Sequence, residues 1–401
     1  MKKLLAILMC VVMLTCGVAG LAAAEGKTTV NLWYYWENLS HQAELDKIIQ
    51  GYNGSQDKVE VVASYIPFAD FKKQLSIGAA ADMLPDIVIL DNPDHAAYSA
   101  MGIFADITDK VTSWDGLQYY YPGPMNSCML DGRYYGIPFG SNDLALFYNE
   151  DMLAAANVAV PTTWDELTAA AKALTTDKVY GFALSSLQNE EGTFGFLPFL
   201  WSTGEDSYHL NSDGGIKALT LYQTLSTEGS LPKEAINWTQ GDVMNQFSAG
   251  NLAMMVNGTW QIPTMRANIT EFKWNVTYIP KDKEYSSDLG GENFAIIASG
   301  HVDEAFDFLM YATDPTRLAS YIGNFGYIAS RSDVASQQYQ GDAVMQQFIT
   351  LMQYAQARGP HPEWPSISDA ISTAFNKVIT GIATPADAAA EAQAVIDGIV
   401  K

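Results

Sequence analysis

Three short clusters early in the chain carry groups able to hold a polar ligand. They are Trp36-Glu37-Asn38, Ile66-Pro67-Phe68 and Asp91-Asn92-Pro93-Asp94. They offer aromatic rings, carboxylates and amides, with no Lys or Arg among them. An aromatic face packs against the C–H face of a sugar ring, and carboxylates accept hydrogen bonds from its hydroxyls. A phosphate or nucleotide would call instead for a Gly-rich loop or basic groups. The set therefore suits a neutral, hydroxyl-rich ligand, although Asp-Asn-Pro is equally an ordinary turn signal.

Other chemistries find no such support. Gly26-Lys27-Thr28 ends like a phosphate-binding loop, but Leu21 stands where its first glycine should be, and the segment precedes a strand instead of following one. His41 and Glu44 lie three apart without forming an H-E-x-x-H pair, and the five His are scattered. There is no G-x-S-x-G elbow. Asn211-Ser212-Asp213 lacks the spacing and distal Glu of a calcium loop. No metal, cofactor or catalytic residue is expected.

The elements that would position these groups are legible from periodicity. Residues 28–35 (TTVNLWYY) read as a strand. Leu45, Ile48, Ile49 and Tyr52 form one stripe of a helix. Residues 59–65 read as a second strand, and residues 68–80 as a helix burying Phe71, Leu75 and Ala79. Residues 86–90 (DIVIL) form a continuous apolar run, expected of a strand buried on both faces. This βαβαβ order predicts a parallel sheet flanked by helices, an α/β fold. In such sheets ligands bind beyond the carboxyl ends of the strands, where the three clusters fall. Thr163 and Glu166 read as a capping box opening a helix that buries Leu167, Ala170, Ala171 and Leu174. Thr384-Pro385 opens a last helix with Ala388, Ala392, Val395, Ile396 and Ile399 on its apolar face. Residues 189–195 and 281–292 read as loops. Trp33, Trp164 and Trp274 read as packing residues.

The 401 residues suggest two or three domains, and a 48% hydrophobic content a large core. With 45 acidic and 22 basic residues the net charge is −23, which disfavours nucleic acid and anionic membrane surfaces. Lys2 and Lys3, the apolar stretch 4–18 and Ala22-Ala23-Ala24 make a secretory signal pattern, removed as residues 1–24. Cleavage leaves Cys128 alone, so no internal disulfide is expected. Met13-Leu14-Thr15 before Cys16 is a poor match to a lipoprotein signal, which leaves a lipid anchor as the lesser alternative.

Six segments, in order along the chain, resemble the carbohydrate branch of the extracellular solute-binding proteins of ABC importers, which includes the maltodextrin-binding proteins. They are PDIVILDNPDHAAYSAMGIFADIT (85–108), GIPFGSNDLALFYNEDML (136–153), PTTWDEL (161–167), FSAGNLAMMVNGTW (247–260), GGENFAI (290–296) and HPEWPSISDAI (361–371). The stretch GYIASR (326–331) departs from the glycine-x-leucine-proline-x-arginine of many members.

This resemblance implies two α/β lobes joined by hinge crossings and closing on a ligand. The first lobe would hold residues 25–137 and 292–328, the second 138–291 and 329–401. It implies contacts from Trp36, Glu37 and Asp91 in the first lobe, and Ser141 and Asn142 at the crossing. Trp201, Asn257 and Trp260 would come from the second lobe, with Trp201 equally able to be core. Glu292, Asn293, Tyr327 and Trp364 would flank the remaining crossings. The implied protein is an exported monomer that binds a sugar and delivers it to the membrane subunits of an ABC importer. Two alternatives stay open: a secreted glycoside hydrolase, which needs a spaced carboxylate pair, and a glycan sensor without transport. Arg331 or Arg358 near the cleft would admit an acidic ligand.

Overall fold

The computed structural model describes residues 26–400. The expected export signal, residues 1–24 with Cys10 and Cys16, lies outside the described residues. Strands β1 (Thr28–Tyr34), β2 (Val59–Tyr65) and β3 (Ile87–Asp91) are joined by helices Leu39–Ser55 and Phe68–Ala81. β1 pairs in parallel with both β2 and β3, so the predicted βαβαβ unit is present. β3 is buried on both faces, as a helix-covered parallel strand must be. Asn38 caps the first helix by accepting from the Ser40 amide at 2.9 Å.

The chain then runs through β4 (Gly136–Asn142) almost directly into β5 (Leu144–Asn149). β4 joins the first sheet and β5 is the centre of a second, three-stranded sheet with β6 (Met254–Gly258) and β7 (Trp274–Thr277). Further strands are β8 (Ser287–Ile296) and β9 (Ala355–Ala357). β8 is antiparallel to β3 and β4 and parallel to β9, and completes the six-stranded sheet in the order β9-β8-β3-β1-β2 with β4 beside β8.

Each sheet has its own core. Leu32, Ile89, Phe139, Phe294 and Phe308 belong to the first, and Phe147, Phe182, Phe199, Phe247 and Phe375 to the second. These are the two lobes. Among the described residues, three passages join them: β4 to β5, the start of β8, and residues around 328. Ser287 secures the first two, its hydroxyl accepting from the Leu144 amide at 3.0 Å and donating to the Leu144 carbonyl at 2.7 Å. Ser141 and Ile328 exchange backbone hydrogen bonds at 2.8 Å. Ile328 buries in the second core, while Ala329 and Val334 bury in the first.

Several local expectations need correction. Residues 189–195 are not a loop: a helix spans Glu190–Ser202, capped by Asn189 and buried along almost its whole length. Within 281–292, residues from Ser287 onward belong to β8, buried at every position. Glu166 accepts from Thr162, not from the cap Thr163, so the box is displaced by one residue. Val395 on the last helix is exposed, since the stripe facing the core is Ala388, Ala392 and Ile396.

Candidate functional site

A cavity of about 600 Å³ opens beyond the carboxyl ends of β1 and β3, walled by both lobes. Of the residues singled out from sequence, Trp36, Glu37, Asn38, Phe68, Asp91, Asn142, Trp260, Glu292, Tyr327 and Arg358 line it.

Glu292 owes its position to the backbone of β8. Gly291 has φ +137°, a conformation closed to ordinary side chains, and a Cβ there would lie 2.1 Å from the Gly140 carbonyl oxygen. The register then shifts between Glu292 and Asn293, opposite Pro138, which donates no ladder hydrogen bond. The carboxylate so placed accepts three hydrogen bonds on Oε1, from the Tyr35 hydroxyl at 3.0 Å, Trp36 Nε1 at 3.1 Å and the Tyr327 hydroxyl at 2.7 Å. Its Oε2 is buried and unpartnered. Burial pushes this acid up to about 7; the three donors oppose the rise and the Asp91 charge adds to it.

Trp36 is buried against Phe139 and Phe325, at centroid distances of 5.1 and 4.9 Å, so most of its ring is first-lobe core. Trp260 is half-buried and touches both cores. Gly258 makes room for it: a Cβ there would lie 1.9 Å from the Trp260 ring. Phe194 stands 5.9 Å away, centroid to centroid, and the two rings form one aromatic wall. Across the opening, Asn38 Nδ2 donates to Thr264 Oγ1 at 3.1 Å.

Arg358 holds the floor. Its Nη1 donates to Glu190 at 2.6 Å and Asp91 at 3.1 Å, and its Nη2 donates to Asp91 at 3.2 Å. Its Nε stands 3.3 Å from Asp288, an ion pair without hydrogen-bond alignment. Lys72 adds charge, 2.8 Å from Asp94 and 4.0 Å from Glu190. Burial alone would raise Glu190, but Arg358 and Lys72 outweigh it and hold that acid below its ordinary value. Burial dominates at Asp91 and Asp288, which are raised despite Arg358.

The remaining candidates stand away from the wall. Trp201 is second-lobe core, its Nε1 donating to Ser207 at 3.1 Å. Asn257 is buried and holds the Gln240 carbonyl at 2.9 Å, which positions the wall without joining it. Ser141 pairs with Ser330 at 2.9 Å. Asn293 points to the opposite side of β8 from Glu292, toward Ser127 at 3.0 Å. Trp364 is fully buried and donates to Glu190 at 3.0 Å from behind. Arg331 is buried against Asp333 and the Thr313 carbonyl, away from the cavity. Arg358 lines the cavity but is committed to carboxylates, so neither arginine offers a free cation to an acidic ligand.

Sequence reasoning missed Tyr35, Glu190, Glu191, Phe194 and Gln240, all on the wall. Asn189 followed by two Glu is a cap with an acidic first turn, the one signal that could have revealed the helix carrying three of them. The wall as a whole combines aromatic surface, acceptor carboxylates and the amides of Asn142 and Gln240, the equipment for a polyhydroxylated ligand.

A model of bacterial extracellular solute-binding proteins matches residues 47–347. A lactose-binding protein of Rhizobium radiobacter is 27% identical over 316 residues, covering 73% of this chain and 72% of its own. A maltotriose-binding protein of Pyrococcus abyssi is 23% identical over 372 residues, covering 88% and 78%. An ABC-transporter solute-binding protein of Thermotoga lettingae, solved with α-D-tagatose bound, shares the fold with a TM-score of 0.86 at 24% identity, over 94% of this chain and 100% of that one. With two lobes around a polar, aromatic cavity and a family match over most of its length, the chain belongs to the bacterial extracellular solute-binding proteins.

Proposed function

We propose that the protein binds a sugar or oligosaccharide between its lobes outside the cytoplasm, closes on it as a hinged monomer, and delivers it unaltered to the membrane subunits of an ABC importer. The observation that carries this reading is the cavity wall: aromatic faces of Trp260 and Phe194 beside the acceptors Glu37, Asp91 and Glu292, with Arg358 as its one cationic residue and already paired. The sugar-binding relatives support it. Trp36, Glu37, Asp91, Asn142, Trp260, Glu292 and Tyr327 are the proposed contacts. Ser141, Asn257, Asn293 and Trp364 support them from behind. A ligand shifts the open–closed balance only by contacts better made when closed, and Trp260 with Glu37 on opposite lobes supply that difference. Micromolar affinity requires about −8 kcal/mol, within reach of such a wall.

The test is a thermal-shift screen against a carbohydrate panel, then calorimetry on the hits with the sugar recovered and chromatographed. A raised melting temperature with intact sugar is expected. Cleaved sugar would favour a hydrolase, and no stabilisation by any saccharide would refute the proposal.

A further inference from the structure

Two groups of acids meet at this cavity, and only one has cations among its partners. Asp91, Asp94, Glu190 and Asp288 share Arg358 and Lys72. Glu37, Glu191 and Glu292 also line the cavity, and among the described residues none of the three is in an ion pair with a Lys, Arg or His. The donors to Glu292 are two phenols and an indole, all neutral and all on one oxygen; Oε2 is buried with nothing to accept from. Glu191 receives the Gln240 amide at 2.7 Å and no cation. Glu37, on the loop after β1, belongs to the first lobe, and Glu191, on the helix Glu190–Ser202, to the second. Like charges on opposed walls repel whenever both are ionised.

We propose that the saccharide taken by this cavity carries a free amine, whose ammonium sits among the carboxylates of Glu37, Glu191 and Glu292; this rests on the sugar-binding reading above. An ammonium brings three donors and a full positive charge, so it both satisfies Glu292 Oε2 and relieves the repulsion. A neutral hydroxyl does only the first. The aromatic wall suits the same group, because a cation over a ring face is attracted by its quadrupole. The acids behave as uncompensated: burial, opposed by the Gln240 amide and reinforced by the Glu37 charge, pushes Glu191 to about 7, and burial likewise pushes Glu292 to about 7.

The experiment is calorimetry at pH about 6.5, where sugar amines are charged in the main and Glu191 and Glu292 lie close to their raised values. The amine probes are glucosamine, galactosamine and fully deacetylated chitobiose. Each is compared with its N-acetylated form and with glucose, galactose or cellobiose. At least one amine probe is expected to bind tenfold or more tightly than both neutral counterparts, with the advantage shrinking in about 0.5 M NaCl. Glu37→Gln, an exposed position that leaves folding intact, and Glu191→Gln should each cut that advantage at least threefold; melting curves check that both variants are folded. Amine probes that bind no better than their neutral counterparts, or not at all, overturn the inference. If neutral sugars still bind, the proposed function stands; if no saccharide binds, both fall.

Discussion

Replacing Arg358 by Met probes the charge web on which the cavity floor rests. The guanidinium is buried and serves Asp91 and Glu190 by hydrogen bonds and Asp288 by an ion pair at 3.3 Å. Met fills much of the stem volume and removes the charge, leaving three carboxyls in a site where Lys72 reaches only Glu190, at 4.0 Å. Removing one partner of a buried pair costs about 3–5 kcal/mol. For a unit of 150–250 residues, which each lobe approximates, 1 kcal/mol moves the midpoint by about 2–4 °C, so a fall of roughly 6–20 °C is expected. The sign with pH follows from burial. Without Arg358 all three acids are raised in the folded state, so above those raised values the variant carries the full penalty. As pH falls toward the unfolded carboxyl range of about 4, the folded acids take up protons and the penalty fades. The parent keeps the Arg358–Glu190 attraction across this interval, because Glu190 is held below its ordinary value in the folded state and gives up the pair only at more acid pH. Scanning fluorimetry of parent and variant at pH about 8 and about 5 should therefore show a gap that narrows with acid. An equal gap at both pH values, or a variant as stable as its parent, would refute the reasoning.

Trp260→Ala should weaken sugar binding at least tenfold by calorimetry while shifting the unliganded midpoint by only a few degrees, because the ring is half-buried. Gly258→Ala should also weaken binding, since its methyl displaces the Trp260 ring, yet add little in a Trp260→Ala background; additive losses would show that Gly258 acts elsewhere. Glu292 ionises near 7 when folded and at about 4.3 when unfolded, so its contribution to stability falls as pH rises between those values. Melting curves of Glu292→Gln should accordingly show less loss than the parent across that interval. Trp364→Phe removes the indole donor to Glu190 and should lower stability by about 1.5–3 kcal/mol in urea titrations.

How much was legible depends on how local the signal is. β1, β2, β3 and the helix Phe68–Ala81 were legible to within about a residue, and the helix Leu39–Ser55 by its buried stripe without its ends, because alternation, an apolar run and a three-four stripe lie within a few neighbouring residues. The helix Glu190–Ser202 was hidden by Gly192, Gly195 and Pro198, which lower helix propensity. Tertiary burial overrides that preference: the glycines admit the Leu187 carbonyl and the Leu184 side chain at distances a Cβ would crowd. β8 was masked by Asp288, Gly290, Gly291 and Glu292, residues of loop-like composition that here sit in a strand buried at every position. Trp201 and Trp364 carried the chemistry of ligand platforms, but the helices bearing them turn both rings into the second core.

From the chain of letters alone came the α/β class and the place where a polar ligand would be met, because strand periodicity and the groups after each strand are written in adjacent residues. Which groups share one cavity was settled by folding. Arg358 meets Glu190 across 168 positions and Asp91 across 267, and Glu292 meets Tyr35 across 257. No local pattern encodes such pairings. They arise where the crossing strands bring two lobes together, and burial there makes partners of distant charges and leaves Glu292 Oε2 without one.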